Sequence, residues 1–126
     1  MEMRSFATCL NVTDVSASGN FMKTFFGFSE EMAFDGFAAL THPQTGMKLV
    51  YHRIGLEVLP PGFRHQAAHG VILAFIVDNI EAEYARLKKE GVIIVIPLRT
   101  EPWGEKLFLV KCPGGVLIEI AEWNRG

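Results

Sequence analysis

An α+β fold made of two βαβββ modules, whose curved mixed sheets form a shared cleft, is predicted for this chain by three observations. The sequence is written twice. Each half carries one amphipathic helical stretch between apolar strand-like runs. Each half also closes on a proline-glycine turn that feeds a final strand.

The first half opens with Phe6-Ala7-Thr8-Cys9-Leu10-Asn11-Val12, turns at Thr13-Asp14-Val15-Ser16, and ends its helical stretch at Phe25-Phe26-Gly27. The second opens with Val71-Ile72-Leu73-Ala74-Phe75-Ile76-Val77, turns at Asp78-Asn79-Ile80-Glu81, and ends its helical stretch at Glu90-Gly91. Val12 aligns with Val77 and Gly27 with Gly91, with one residue of slippage. In the first helix Phe21, Met22, Phe25 and Phe26 form an apolar stripe, with Ser16 expected as the N-cap and Gly19 as a weak point. In the second, Ile80, Tyr84 and Leu87 face inward, Asp78 or Asn79 caps, and Gly91 suits the left-handed position after the helix.

Further strands are expected at Glu31–Phe34, Phe37–Leu40 and Met47–Tyr51 in the first half, and at Val92–Ile96, Lys106–Val110 and Val116–Ile120 in the second. Pro43-Gln44-Thr45-Gly46 and Pro113-Gly114-Gly115 supply the matching turns. The reading is one domain, 1–126, with module one at about 1–52, a linker at 53–70 and module two at about 71–126. Each module is a curved sheet with its helix on the convex side, and the concave sides enclose the cleft.

Bulk properties exclude several functional classes. Of 126 residues, 49% are apolar and 21% charged, with a net charge of −2 and no basic stripe, so neither nucleic acid nor a polybasic membrane contact is expected. No apolar run approaches the length of a membrane-spanning helix. The N-terminus lacks a signal-peptide pattern, and Cys9 and Cys112 are not spaced as a CxxC pair, so a cytoplasmic protein is expected.

The βαβββ repeat, with the stretches Leu10-Asn11-Val12-Thr13-Asp14, Phe25-Phe26-Gly27-Phe28, Val77-Asp78-Asn79-Ile80-Glu81-Ala82, Glu101-Pro102-Trp103-Gly104-Glu105 and Cys112 through Glu119, resembles the vicinal-oxygen-chelate superfamily. That group contains glyoxalase I, extradiol dioxygenases and bleomycin-resistance proteins. The resemblance covers nearly the whole chain outside the linker. It implies one divalent metal held by residues on the first and last strand of each half, and homodimers as a common assembly. Carried over, the metal positions become Ala7, Val50, Ile72 and Glu119, of which only Glu119 has a donor atom. A divalent ion needs several protein ligands. No metal site and no cofactor are therefore expected, and a divalent metal would have to be recruited differently, through Glu119 with His52 or His69.

Strand alternation sorts the remaining candidates. Leu117, Glu119 and Ala121 fall on the face opposite Val116, Ile118 and Ile120, which should pack on the helix. Lys48, Val50 and His52 fall opposite Leu49 and Tyr51. Ala7, Cys9 and Asn11, and Ile72, Ala74 and Ile76, complete the cleft lining. Glu119 is the candidate proton acceptor or anchor for a cationic group, unless it merely pairs with Lys48 or His52; His52 is a candidate general base. Ligand contacts are expected from Cys9, Lys48, Val50, Arg64, Ile72, Ala74, Trp103 and Leu117. Trp103 is read as an aromatic at the cavity rim, and the linker with Phe63, Arg64 and His65 as a lid. Its Pro60-Pro61-Gly62 and Gly70 make it a loop, so His65 and His69 are not expected to share a helix face. Cys112 is either a plain turn residue or a reactive thiol. Trp123 is expected at a sheet edge or dimer contact.

The function expected is a metal-independent small-molecule binding protein that holds an apolar or aromatic ligand, similar in design to the drug-sequestering resistance proteins. The alternatives are a metal-dependent lyase, isomerase or dioxygenase, a metal-free enzyme using Glu119 as base, and a protein-interaction domain whose cleft is filled by its own side chains.

Overall fold

The doubling in the sequence reappears in the computed structural model, which describes residues 1–123. In chain order the elements are β1 (Ala7–Val12), α1 (Val15–Phe26), β2 (Ser29–Phe34), β3 (Phe37–Thr41) and β4 (Lys48–Arg53). They are followed by β5 (His69–Ile76), α2 (Ile80–Lys89), β6 (Ile94–Thr100), β7 (Lys106–Lys111) and β8 (Gly115–Glu122). The strand orders β1-β4-β3-β2 and β5-β8-β7-β6 are the same pattern used twice. Two compact units result: Met1–His69 with the Pro113–Gly115 turn, and Gly70–Cys112 with the chain from Val116 onward.

Side-chain caps decide where the helices begin. Asp14, not Ser16, caps α1: its backbone is extended (φ −128°) and its carboxylate accepts the Ala17 amide at 2.9 Å. Ser16 already lies inside the first turn, so its hydroxyl cannot serve a donor two or three residues on. Asn79 caps α2 in the same way through Ala82. Gly27 and Gly91 take left-handed backbone angles of 73° and 84° at the helix ends, and the Gly27 amide closes on the Met22 carbonyl.

Within the first unit, β1 runs parallel to β4, while β3 lies antiparallel to both β2 and β4. Leu10, Val12, Leu40, Leu49 and Tyr51 are buried on the helix side with Met22, which is fully enclosed. Phe21, Phe25 and Phe26 are only half-buried, so the apolar stripe of α1 is narrower than its sequence implies. Ser18 and Gly19 take the close-packed positions beside Met22 instead.

In the second unit, Ile80 and Leu87 of α2 meet a sheet side built from Phe108, Val110, Val116, Ile118 and Ile120. Each such side chain stabilises the fold by about 1.5–3 kcal/mol when removed from water. Strand β6 begins and ends later than the Val92–Ile96 expected from its apolar run, and it continues through Pro97. Proline has no amide to donate, yet it is accommodated because β6 is an edge strand and its pairing with β7 shifts between Ile96 and Arg99.

Candidate functional site

Each sheet has one side covered by its helix and one open side, and the candidate residues fall on the open sides as strand parity requires. In the first unit, pairing registers Ala7 with Lys48, Cys9 with Val50 and Asn11 with His52. The same rows continue into β3 through Thr41, Ala39 and Phe37. Met32 and Phe34 of β2 extend the open side and are 49% and 69% exposed, an apolar surface that the sequence reading did not single out.

Polar groups punctuate this side. Lys48 donates to Glu31 at 2.9 Å and to Thr41 at 3.4 Å, so its ammonium is engaged within its own sheet rather than by Glu119. The hydrogen bond from Thr41, followed by that from Lys48, holds the Glu31 carboxyl below the usual range. The His52 ring lies 5.6 Å from that of Phe37. Its Nδ1 is buried with no hydrogen-bond partner among the described residues. No carboxylate orients it, which is not the arrangement of a poised general base.

In the second unit, β8 presents Leu117, Glu119 and Ala121, and pairing with β7 places Leu109 beside Glu119 and Leu107 beside Ala121. Leu107, Leu109 and Ala121 form an apolar cluster joined by Ile96 and Leu117. Ile72 and Ala74 of β5 are exposed. Glu119 stands among these apolar neighbours, and no hydrogen bond to its carboxylate is found among the described residues. Desolvation raises its pKa, and the negative charges of Glu105 and then Glu101 raise it further. A proton taken up here is held more firmly than by an ordinary surface carboxylate.

Glu101 and Glu105 were not anticipated as its neighbours. Both belong to the turn between β6 and β7, closed by the Gly104 amide on the Glu101 carbonyl (2.9 Å) and the Glu101 amide on the Glu105 carbonyl (2.7 Å). Trp103 crowns that turn, 70% exposed, with its indole N–H donating to Glu105 at 3.4 Å. The turn could be read from Pro102 and Gly104. Its approach to Glu119 depends on a register across β7 that residue patterns do not encode.

Arg64 serves the linker itself: its guanidinium donates to the Leu59 carbonyl at 2.9 Å and the Glu57 carbonyl at 3.2 Å. The linker is a run of turns, as expected, and His69 lies on β5 with its ring against the Ala67 carbonyl. Cys112 is not a reactive thiol. It is buried, donates to the Val116 carbonyl at 2.8 Å, and burial pushes its pKa up to about 11. Cys9 is exposed. Trp123, 57% exposed, follows β8 directly.

Residues 5–120 match the glyoxalase/bleomycin resistance protein/dioxygenase superfamily. The chain belongs to this superfamily. Among solved structures it is similar to a superfamily member from Nocardioides, with a TM-score of 0.82 and 24% identity over 100% of this chain and 87% of that one. It is also similar to TioX from Micromonospora sp. ML1 (TM-score 0.73, 23% identity, 95% and 98% covered). A third likeness is to a member from Sphaerobacter thermophilus DSM 20745 (0.75, 18%, 97% and 98%). At these identities the likeness carries the fold alone. No curated protein matches the chain.

The metal positions of this superfamily do not fit a divalent ion here. Ala7, Val50 and Ile72 offer hydrocarbon where Glu119 offers its single carboxylate. Among the described residues, no group of three His, Cys, Asp or Glu side chains is placed to hold an ion. No helix among them is long and apolar enough to cross a membrane.

Proposed function

We propose that this superfamily member binds a small apolar or aromatic molecule without a metal, against the open side of the second sheet. One observation carries the reading: Glu119, a carboxylate with raised proton affinity, stands in an apolar setting of Leu107, Leu109, Leu117 and Ile96. Small-molecule sites have this composition, mostly apolar with a few polar groups that fix orientation. Trp103 adds an exposed indole for stacking, and Ile72 and Ala74 extend the apolar surface. In the first unit Cys9 and Val50 offer a similar surface, with Lys48 at its border. The protein is proposed to act in the cytoplasm as a homodimer. Two free thiols support the compartment, and exposed Met32, Phe34, Ile93 and Val95 on edge strands β2 and β6 and beside them support self-association.

A second reading is favoured by the unpaired carboxylate alone. In it Glu119 is the base of a metal-free proton transfer, its raised pKa bringing it closer to neutrality. A thermal-shift screen of the full chain against neutral and cationic aromatic compounds tests the binding reading. A ligand at a hundred times its Kd adds about 2.7 kcal/mol, a rise of several degrees that Trp103→Ala and Leu117→Ala should shrink. A screen with no shift, or shifts that neither substitution alters, would remove the proposed site.

A further inference from the structure

The linker is built as a body of its own. Both of its ends are pinned to consecutive residues of β1: the Ile54 amide donates to the Val12 carbonyl at 3.0 Å, and the Ala68 amide to the Asn11 carbonyl at 2.7 Å. Chain that leaves and returns at one place in this way is an Ω-loop, a compact excursion packed by its own groups. Inside it, the Gly55 amide donates to the Arg64 carbonyl at 2.6 Å, and the Phe63 and Arg64 amides to the Pro60 carbonyl at 3.0 and 2.9 Å. Arg64 braces the interior through the Leu59 and Glu57 carbonyls. Gln66 donates to the Gly62 carbonyl at 3.2 Å.

Attachment to the sheet is sparse by comparison. No residue from 54 to 68 is fully buried, and Val58 and Phe63 are 81% and 54% exposed. The one side chain that grips the loop from outside is Asn11, only 4% exposed, whose amide group donates to the Phe63 carbonyl at 3.3 Å and the Gln66 carbonyl at 3.2 Å. Asn11 projects from the open side of the first sheet, in register with His52. Residues 63–66 therefore lie over that end of the open side.

We propose that residues 54–68 form a strap that lifts from and closes over the Asn11–His52 end of the first sheet as one body, with Asn11 as its latch. Closing satisfies both amide hydrogens of Asn11. Lifting exchanges two side-chain hydrogen bonds for water while the interior bonds of the strap persist, so the strap need not unfold to open. An open strap leaves the Asn11 amide free, beside His52, to donate to the oxygen of an incoming molecule. This inference stands apart from the ligand reading above, since it concerns a different sheet and requires no ligand.

Amide hydrogen exchange on the full chain tests it. In Asn11→Ala, the Ala68 amide should exchange at least about tenfold faster, while Gly55, Phe63 and Arg64 change less than about twofold. In Arg64→Ala the order should reverse, with the interior amides accelerated and the β4 amides of Leu49 and Tyr51 unchanged. If Asn11→Ala does not fold, the unsubstituted chain decides: in low denaturant the Ala68 amide should open before Gly55 and Arg64. Acceleration of latch and interior amides together by Asn11→Ala, or opening of all of them in one step, would overturn the strap as a separate body. So would an Asn11→Ala chain whose exchange is unchanged throughout.

Discussion

Replacing Phe108 by alanine is expected to remove about 3–5 kcal/mol of stability, the range for emptying a large buried aromatic site. Phe108 is fully enclosed on β7, its ring 4.9 Å from that of Tyr84 in an edge-to-face arrangement, and it pairs with Ile120 of β8. The side chain thus ties helix α2 to the middle of the second sheet, and neither neighbour can collapse into the space without leaving its strand or helix. Domains of this size hold only about 5–15 kcal/mol in total, so the variant should sit near the edge of unfolding at 37 °C. Urea denaturation measures it through the midpoint. Phe34→Ala is the control: that ring is 69% exposed on an edge strand and should cost within about 0.5 kcal/mol. Equal losses at the two positions would mean that the helix-covered side of the second sheet is not the core.

Gly115→Ala is the second large effect, and its cause is backbone rather than side chain. A Cβ at residue 115 would run into the Ala68 carbonyl oxygen and lie 3.4 Å from both Cα and Cβ of His69. Neither is the movable end of a flexible chain, so the Pro113–Gly115 turn or the end of the linker has to shift. Overpacking of this kind costs about 1–3 kcal/mol. Gly62→Ala supplies the contrast. Nothing lies within 4 Å of a Cβ there and the backbone angle is ordinary, so the change should be neutral or stabilise by up to about 1 kcal/mol through the unfolded chain. Thermal melts of the two variants side by side check the difference. A Gly115→Ala protein as stable as Gly62→Ala would show that the turn does not approach Ala68 as described.

The repeated architecture was legible because its signals are local. Apolar alternation, the Asp14 and Asn79 regions, the glycines at the helix ends and the proline-glycine turns each act within a few residues, and all agree. Where two local signals competed, the reading missed: Ser16 and Asp14 are both good caps, and only the position of the Ala17 amide separates them. The start of β6 was missed for another reason. Pro97 argues against a strand, and a shift in pairing with β7 overrides it.

The open-side membership of Glu119, Leu117, Val50 and Cys9 followed from parity alone, since one face of each strand is plainly the helix side. Two features stayed hidden. Glu101 and Glu105 raise the pKa of Glu119 from a turn beyond β7, and their proximity depends on strand register. Asn11 grips carbonyls 52 and 55 residues away, and a backbone carbonyl carries no residue signature. Arg64 was read as a ligand contact because a cation in a long loop suggests one. Its guanidinium is instead the brace that gives that loop its shape.

The central claim is that the superfamily's metal positions are empty of ligands in this chain and that its chemistry rests on an apolar face around one carboxylate. Equilibrium dialysis of the full chain against nickel, zinc, manganese and iron(II), with the metal retained per chain counted afterwards, tests it most directly. The account predicts no stoichiometric retention of any of the four, because Ala7, Val50 and Ile72 supply no donor and one carboxylate with water binds too weakly. One equivalent of metal that Glu119→Gln abolishes would contradict it and would place a metal-dependent enzyme in its stead.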